Sequence, residues 1–162
     1  MFPTGSSADM PPQAGSPAPD FALPDADNTT RRLADWRGKW LVLYFYPRDH
    51  TPGCTTEAAN FRDAHGEFAK YNAVVVGVSL DDGIAHRSFA TQQRLPFTLL
   101  SDVGGAVAER YGALMNLGVI KMAKRHTFLI DPDGRIAKTY LSVDPERHAQ
   151  EVLADIKRLR PG

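Results

Sequence analysis

The stretch WLVLYFYPRDHTPGCTTEAANFRD, residues 40–63, decides how the rest of the chain is read. Its first seven residues are apolar without alternation, the pattern of a strand covered on both faces. Thr51 suits the N-cap of a helix, and Pro52 suits the first helical position. Residues 55–71 then read as a helix, with Phe61 and Phe68 seven apart on one face and Ala58 and Ala64 close to it. Cys54, the only cysteine in the chain, falls in the first turn. There the helix dipole and the unpaired backbone N–H groups favour an anion, which is the condition for a reactive thiolate. Pro52 donates no hydrogen bond and fences one side, while Gly53 lets a small substrate approach the backbone. A lone cysteine is commonly a small buried hydrophobe. Thr-Pro-Gly immediately before it weighs against that reading here.

Outward from this core, "AVVVGVSL" (residues 73–80) is a second covered strand, and the two with the helix between them make a βαβ unit. Residues 84–94 predict a helix stopped by Leu95-Pro96. "FTLL" is a short strand, and Ser101-Asp102 can cap a helix through residues 103–111, ended by Gly112. "HTFLI" and "RIAKTYL" are strands joined by Asp131-Pro132-Asp133-Gly134, favoured turn chemistry for antiparallel neighbours. Asp144 and Pro145 open a last helix whose stripe is Ala149, Val152, Leu153, Ile156 and Leu159. With "DFALP" and "RRLADW" as a short N-terminal pair, the order is β-β-β-α-β-α-β-α-β-β-α. That order predicts an α/β domain with a mixed central β-sheet and helices on both faces.

The chain has 162 residues, 43% hydrophobic and 23% charged, which suits one domain with one sizeable core. Residues 1–18, rich in Pro, Ser, Gly and Ala, read as a disordered tail, and residues 19–162 as the domain. Nineteen basic and nineteen acidic side chains balance, which argues against nucleic acid or an anionic membrane as a general partner. One cysteine excludes an intrachain disulfide. The segment before the domain has no signal-peptide pattern, so a cytoplasmic location is expected. The five histidines are widely spaced, with none at zinc-site spacing, so neither a metal nor a cofactor is expected. Gly104-Gly105 before a helix is better read as a helix-entry turn than as a phosphate loop.

"YFYPRDHTPGCTTEAANFRD" resembles the active-site segment of the peroxiredoxins, in particular the bacterioferritin-comigratory (Q-type) subfamily. "APDFALPDADN", "VVVGVSLDD", "PFTLLSD" and "KRHTFLIDPDGRI" extend the resemblance over about residues 15–140. It implies a thioredoxin-like fold and an antioxidant thiol peroxidase acting on hydrogen peroxide and organic hydroperoxides. By this resemblance Cys54 is the peroxidatic cysteine, whose thiolate attacks the O–O bond and becomes a sulfenic acid. Thr51 is the threonine whose hydroxyl hydrogen-bonds thiolate and peroxide, Pro52 the proline that shields the sulfur, and Arg125 the distant arginine that completes the pocket. Arg125 can supply fixed charge and several N–H donors. Glu57, one turn past Cys54, either orients Arg125 or lies on a solvated helix face.

Many relatives carry a resolving cysteine five residues after the peroxidatic one, and here that residue is Ala59. Others place it in the next helix, which has none here. The resemblance therefore implies a one-cysteine enzyme whose sulfenic acid is reduced by an external thiol such as thioredoxin. A monomer is expected, since no long apolar edge stands out. Two rivals are a cysteine hydrolase pairing Cys54 with a histidine and a non-enzymatic thioredoxin-fold chaperone or partner module.

Overall fold

Residues 10–159 are described by the computed structural model. Strands β1 (Ala22–Pro24) and β2 (Thr30–Arg32) pair as a small antiparallel hairpin, and a 3-10 turn at Leu33–Trp36 leads to β3 (Trp40–Phe45). Helices α1 (Pro52–Asp63) and α2 (His65–Lys70) lead to β4 (Ala73–Ser79), and α3 (Gly83–Gln93) leads to β5 (Thr98–Ser101). After α4 (Ala106–Arg110) comes a second small hairpin, β6 (Leu114–Asn116) and β7 (Lys121–Ala123). Strands β8 (Thr127–Ile130) and β9 (Ile136–Tyr140) and helix α5 (His148–Leu159) close the chain.

The central sheet has the order β5-β4-β3-β8-β9. β4 is parallel to both β3 and β5, whereas β8 is antiparallel to both β3 and β9. The mixed sheet is thus as expected, and β3 shows why its sequence does not alternate. Leu41, Leu43 and Phe45 pack into one buried cluster with Val76, Val78 and Phe128. Trp40, Val42, Tyr44 and Tyr46 pack into another with Val75, Phe61 and Leu129. Every residue of β3 is buried, and full burial of a large apolar side chain contributes about 1.5–3 kcal/mol. The second cluster is covered by α1, α2, α3 and α5. The first is covered by α4 together with β1 and the 3-10 turn, so one face is helical and the other is shared with irregular structure. Gly77 stands opposite Tyr44 in the β3–β4 register. A Cβ there would come within 3.0 Å of the Tyr44 ring and 2.8 Å of Leu99, so glycine makes room for a buried tyrosine in the middle of the sheet.

Four details differ from the sequence pattern. The helix expected over residues 55–71 begins earlier, at Pro52, and breaks at Ala64, ahead of the weak helix former Gly66, keeping Phe61 and Phe68 in contact at 5.9 Å between ring centres. Asp102 does accept from the N–H groups of Val107 and Ala108, as a cap would. The helix itself starts only at Ala106, because Gly104 and Gly105 adopt φ of +91° and +83°, outside any right-handed helix. Asp144 likewise holds a turn, accepting from the Arg147 and His148 N–H groups, and α5 proper begins at His148. The tail expected to end at residue 18 is fixed at its end: Gly15 and Ala18 N–H groups donate to the Ile136 and Gly134 carbonyls. Residues 1–9 lie outside the described residues.

Candidate active site

The sheet brings together two segments that are far apart in sequence. Tyr44 near the end of β3 pairs with Thr127 at the start of β8, and the Phe45 N–H donates to the His126 carbonyl at 2.8 Å. The turn leaving β3 therefore runs beside the chain entering β8. Helix α1 grows from the first, and Arg125 stands at the second.

Thr51 is extended (φ −83°, ψ 153°), as a helix-capping residue is, and Pro52 occupies the first turn. The first helical bond runs from the Thr55 N–H to the Thr51 carbonyl, 2.8 Å. The Gly53 and Cys54 N–H groups precede it and belong to the unspent donors of a helix start. Cys54 is a free thiol, 1% exposed. Arg125 Nη2 donates to its Sγ at 3.3 Å, and Nη1 donates to Glu57 Oε1 at 2.7 Å. One guanidinium thus spans a thiol and a carboxylate three residues apart on one helix face. Its charge is secure: burial would lower its pKa, but Glu57 and Cys54 raise it above the ordinary value.

Glu57 is not on a solvated face. Its side chain is 1% exposed, and burial pushes its carboxyl up to about 7 against the opposing pull of Arg125. Tyr44 lies in the same cluster, and its phenol is raised well above its ordinary value by burial and by the charges of Glu57 and Cys54. Behind Arg125, His148 Nε2 lies 2.8 Å from the Thr127 hydroxyl; burial lowers its pKa, leaving a neutral imidazole. Asn60 of α1 donates to the Pro145 and Glu146 carbonyls, bracing the helix against the entry to α5.

The other expected site residues take particular places. The Thr51 side chain makes no cap bond; its hydroxyl donates to the Arg48 carbonyl at 2.8 Å, which leaves its oxygen lone pairs for an incoming donor. A Cβ on Gly53 would sit 3.1 Å from Arg125 Nη2, so the room the glycine leaves is taken by the guanidinium. Pro52 is exposed. A proline that the sequence pattern did not single out, Pro47, shares a groove with Arg125. Met115, Ala123, Leu141 and Val143 also line this groove, which is about 600 Å³. His50 is exposed and His126 stands at the entry to β8. The hydrogen-bond partner of Cys54 Sγ is a guanidinium and not an imidazole, which disfavours the hydrolase reading.

A sequence profile described as AhpC/TSA family matches residues 14–139. The chain belongs to the AhpC/TSA family. It is 43% identical over 149 residues to "Peroxiredoxin Bcp" of Bacillus subtilis (strain 168), covering 90% of this chain and 95% of that protein. It is 42% identical to "Peroxiredoxin Q, chloroplastic" of Triticum aestivum, covering 90% of this chain and 67% of that one. Among solved structures it superposes on peroxidoxin BcpB from Mycobacterium tuberculosis with a TM-score of 0.87, 38% identity, and coverage of 93% and 99% of the two chains. PrxQ from Xylella fastidiosa gives 0.85 and 33%, with 92% and 98% covered. The fold is the thioredoxin-like peroxiredoxin fold, and the protein is a thiol peroxidase of the Bcp and peroxiredoxin Q kind. The reading as a non-enzymatic module gives way to this.

Proposed function

We propose that Cys54 is the thiol that reduces peroxide, held for that purpose by α1 and Arg125. The observation that carries this is the 3.3 Å bond from Arg125 Nη2 to Sγ in the first turn of α1. A guanidinium and the unspent N–H groups of a helix start both stabilise a thiolate. The thiolate electron pair attacks the nearer peroxide oxygen and the O–O bond breaks. Sulfur is oxidised by two electrons to sulfenic acid, and the departing oxygen leaves as hydroxide or alkoxide and takes a proton from water. Arg125 stabilises the negative charge as it moves from sulfur to the leaving oxygen. Thr51, its own proton spent on Arg48, accepts from the peroxide O–H and aims the attacked oxygen. Pro52 and Gly53 shape the helix start, and Gly53 leaves room for the guanidinium.

Both hydrogen peroxide and organic hydroperoxides are taken as substrates, the apolar groove beside Arg125 favouring the latter. With one cysteine in the chain, the sulfenic acid is reduced by an external thiol, a thioredoxin-type dithiol being the expected one. That thiol condenses with the sulfenic acid, releasing water, and a second thiol then resolves the mixed disulfide. We take the protein to act as a monomer in the cytoplasm without nucleic-acid or membrane partners. No helix among the described residues is long and apolar enough to cross a membrane. Exposed Leu117, Val119 and Ile120 on the β6–β7 turn are the surface a second copy would cover, and sedimentation of the reduced protein decides the point.

The test is peroxide consumption with a thiol reductant present. Cys54→Ser abolishes it, with unfolding temperature near that of the wild type. Substantial turnover by the serine variant refutes the assignment.

A further inference from the structure

The far side of the active-site loop holds a buried charged cluster that the thiol chemistry does not use. Both oxygens of Asp49 are engaged: Oδ1 accepts from the Tyr46 hydroxyl at 2.6 Å, and Oδ2 lies 2.6 Å from His86 Nδ1. His86 is fully buried, and its other nitrogen, Nε2, lies 2.8 Å from the Leu100 carbonyl. A carbonyl oxygen only accepts, so Nε2 carries a proton, and Nδ1 is placed to donate a second one to the Asp49 carboxylate. Nitrogens placed this way suit an imidazolium. Asp49, Asp81 and His86 are residue types that can bind a metal and offer atoms within 4.8 Å of one another. Their bonds are those of a hydrogen-bonded ion pair, with a ring proton where a cation would sit.

The groups facing His86 agree. Asp49 and Tyr46 approach from the end of β3 and its loop, the latter hydroxyl at 3.5 Å, Asp81 from the turn before α3, and the Leu100 carbonyl from β5. Burial pulls the imidazole pKa down, and the bond and charge of Asp49, the Leu100 carbonyl and Asp81 outweigh it, so the net shift is upward. Beside this pair, one peptide unit of the loop is clamped at both its ends. The Asp49 N–H donates to Asp81 Oδ2 at 2.8 Å, and the Arg48 carbonyl of the same planar unit accepts from the Thr51 hydroxyl at 2.8 Å. Between Asp49 and Thr51, His50 takes φ +67°, a left-handed conformation that a non-glycine residue keeps only when its neighbours hold it.

We propose that His86 is a positioning residue for the peroxide-reacting loop, its imidazolium holding Asp49 and through it the backbone that sets Pro47, Thr51 and the start of α1. This rests on Cys54 being the reacting thiol and names what places the groups around it. The test compares Cys54 reacting with hydrogen peroxide and with iodoacetamide, an electrophile that needs the thiolate but no aimed peroxide. Misplacement of about 1 Å costs about 10²-fold in an oriented reaction. His86→Gln is expected to lower the peroxide rate by about that factor and the iodoacetamide rate by less than about threefold. The imidazolium is present below its raised pKa and lost above it. The wild-type peroxide rate therefore declines as pH rises through the His86 titration, followed by long-range ¹H–¹⁵N NMR, and His86→Gln shows no such decline. Should His86→Gln not fold, Asp49→Asn cuts the same link and carries the same comparison. A single ring N–H on His86 at neutral pH, an unchanged peroxide rate in the variants, or equal losses toward both electrophiles would overturn the proposal. A wild-type Cys54 inert to peroxide overturns the reading beneath it instead, and shows before any variant is made.

Discussion

Ala59→Cys asks what this active site must give up to form an internal disulfide. Helix α1 runs unbroken from Pro52 to Asp63 and carries both Cys54 and Ala59. Five residues along a helix rise about 7.5 Å and turn about 140° at a Cα radius of about 2.3 Å, which separates the two Cα atoms by about 8.7 Å. Disulfides span about 4.4–6.8 Å between Cα atoms, so the folded helix falls short by about 2 Å or more. Closing that gap requires the helix to open between the two residues. Opening draws buried Glu57 and Ala58 out of their places and takes Sγ away from Arg125. In the wild type no internal disulfide can trap that opened form. One equivalent of peroxide adds one oxygen to Cys54, excess adds a second, and far-UV circular dichroism stays nearly constant. The Ala59→Cys protein loses two hydrogens instead, as read by intact mass after one equivalent. Its helix signal falls by an amount corresponding to about half of α1, a change that dithiothreitol reverses. A variant whose Cys54 oxidises while no bridge forms, or whose bridge forms with no change in circular dichroism, refutes the geometric argument.

Arg125→Ala removes the fixed charge and the donor on Sγ, and a loss of about 10²–10³ in the peroxide rate is expected, with Thr51→Val falling in the same direction. Stopped-flow peroxide kinetics beside thermal unfolding measure both, and near-normal rates in the two variants would count against the pocket. Glu57→Gln tests the buried carboxyl: folded Glu57 holds its proton up to about 7 against an ordinary 4.5, so the wild type loses stability as pH rises through that window and the loss is complete above it. The gain in unfolding temperature from Glu57→Gln is therefore larger at pH 8 than at pH 5, by at least about 2 °C, and an equal gain at both would show that the carboxyl is not perturbed.

How much of this was legible in the sequence depends on how local the cause is. The covered strands β3 and β4 announce themselves as unbroken apolar runs, and the Asp131–Gly134 turn does so through its own side chain, which accepts from the Asp133 and Arg135 N–H groups. Cys54 was marked by the residues beside it, and Arg125 only by resemblance, since nothing around it in sequence distinguishes it from a surface arginine. The β6–β7 hairpin was not visible, because Leu117, Val119 and Ile120 are apolar yet exposed, so polarity no longer reports burial there. The role of Glu57 had a signal, its spacing of three from Cys54, but burial decides between a solvated and a paired carboxyl and spacing does not. Pro47 and the Asp49–His86 pair depend on contacts across the fold; the latter two are 37 residues apart.

These distant contributions meet for a topological reason. Parallel β3 and β4 end on the same side of the sheet, and antiparallel β8 begins there. The chain leaving β3 forms the loop and then α1 with Cys54. The chain leaving β4 carries Asp81 and then His86 on α3. Arg125 stands just before β8. The carboxyl ends of parallel strands are where open α/β sheets carry their sites, and the one antiparallel neighbour adds its amino end to that rim. The strand order β4-β3-β8 places the Cys54 segment between the other two, so Arg125 reaches it from one side and the His86–Asp49 pair holds its loop from the other. A substitution inside β3 that shifted its register by one residue would exchange its two buried faces and move the loop relative to both supports at once. The placing of the Cys54 thiol therefore depends on the sheet as directly as on its own helix.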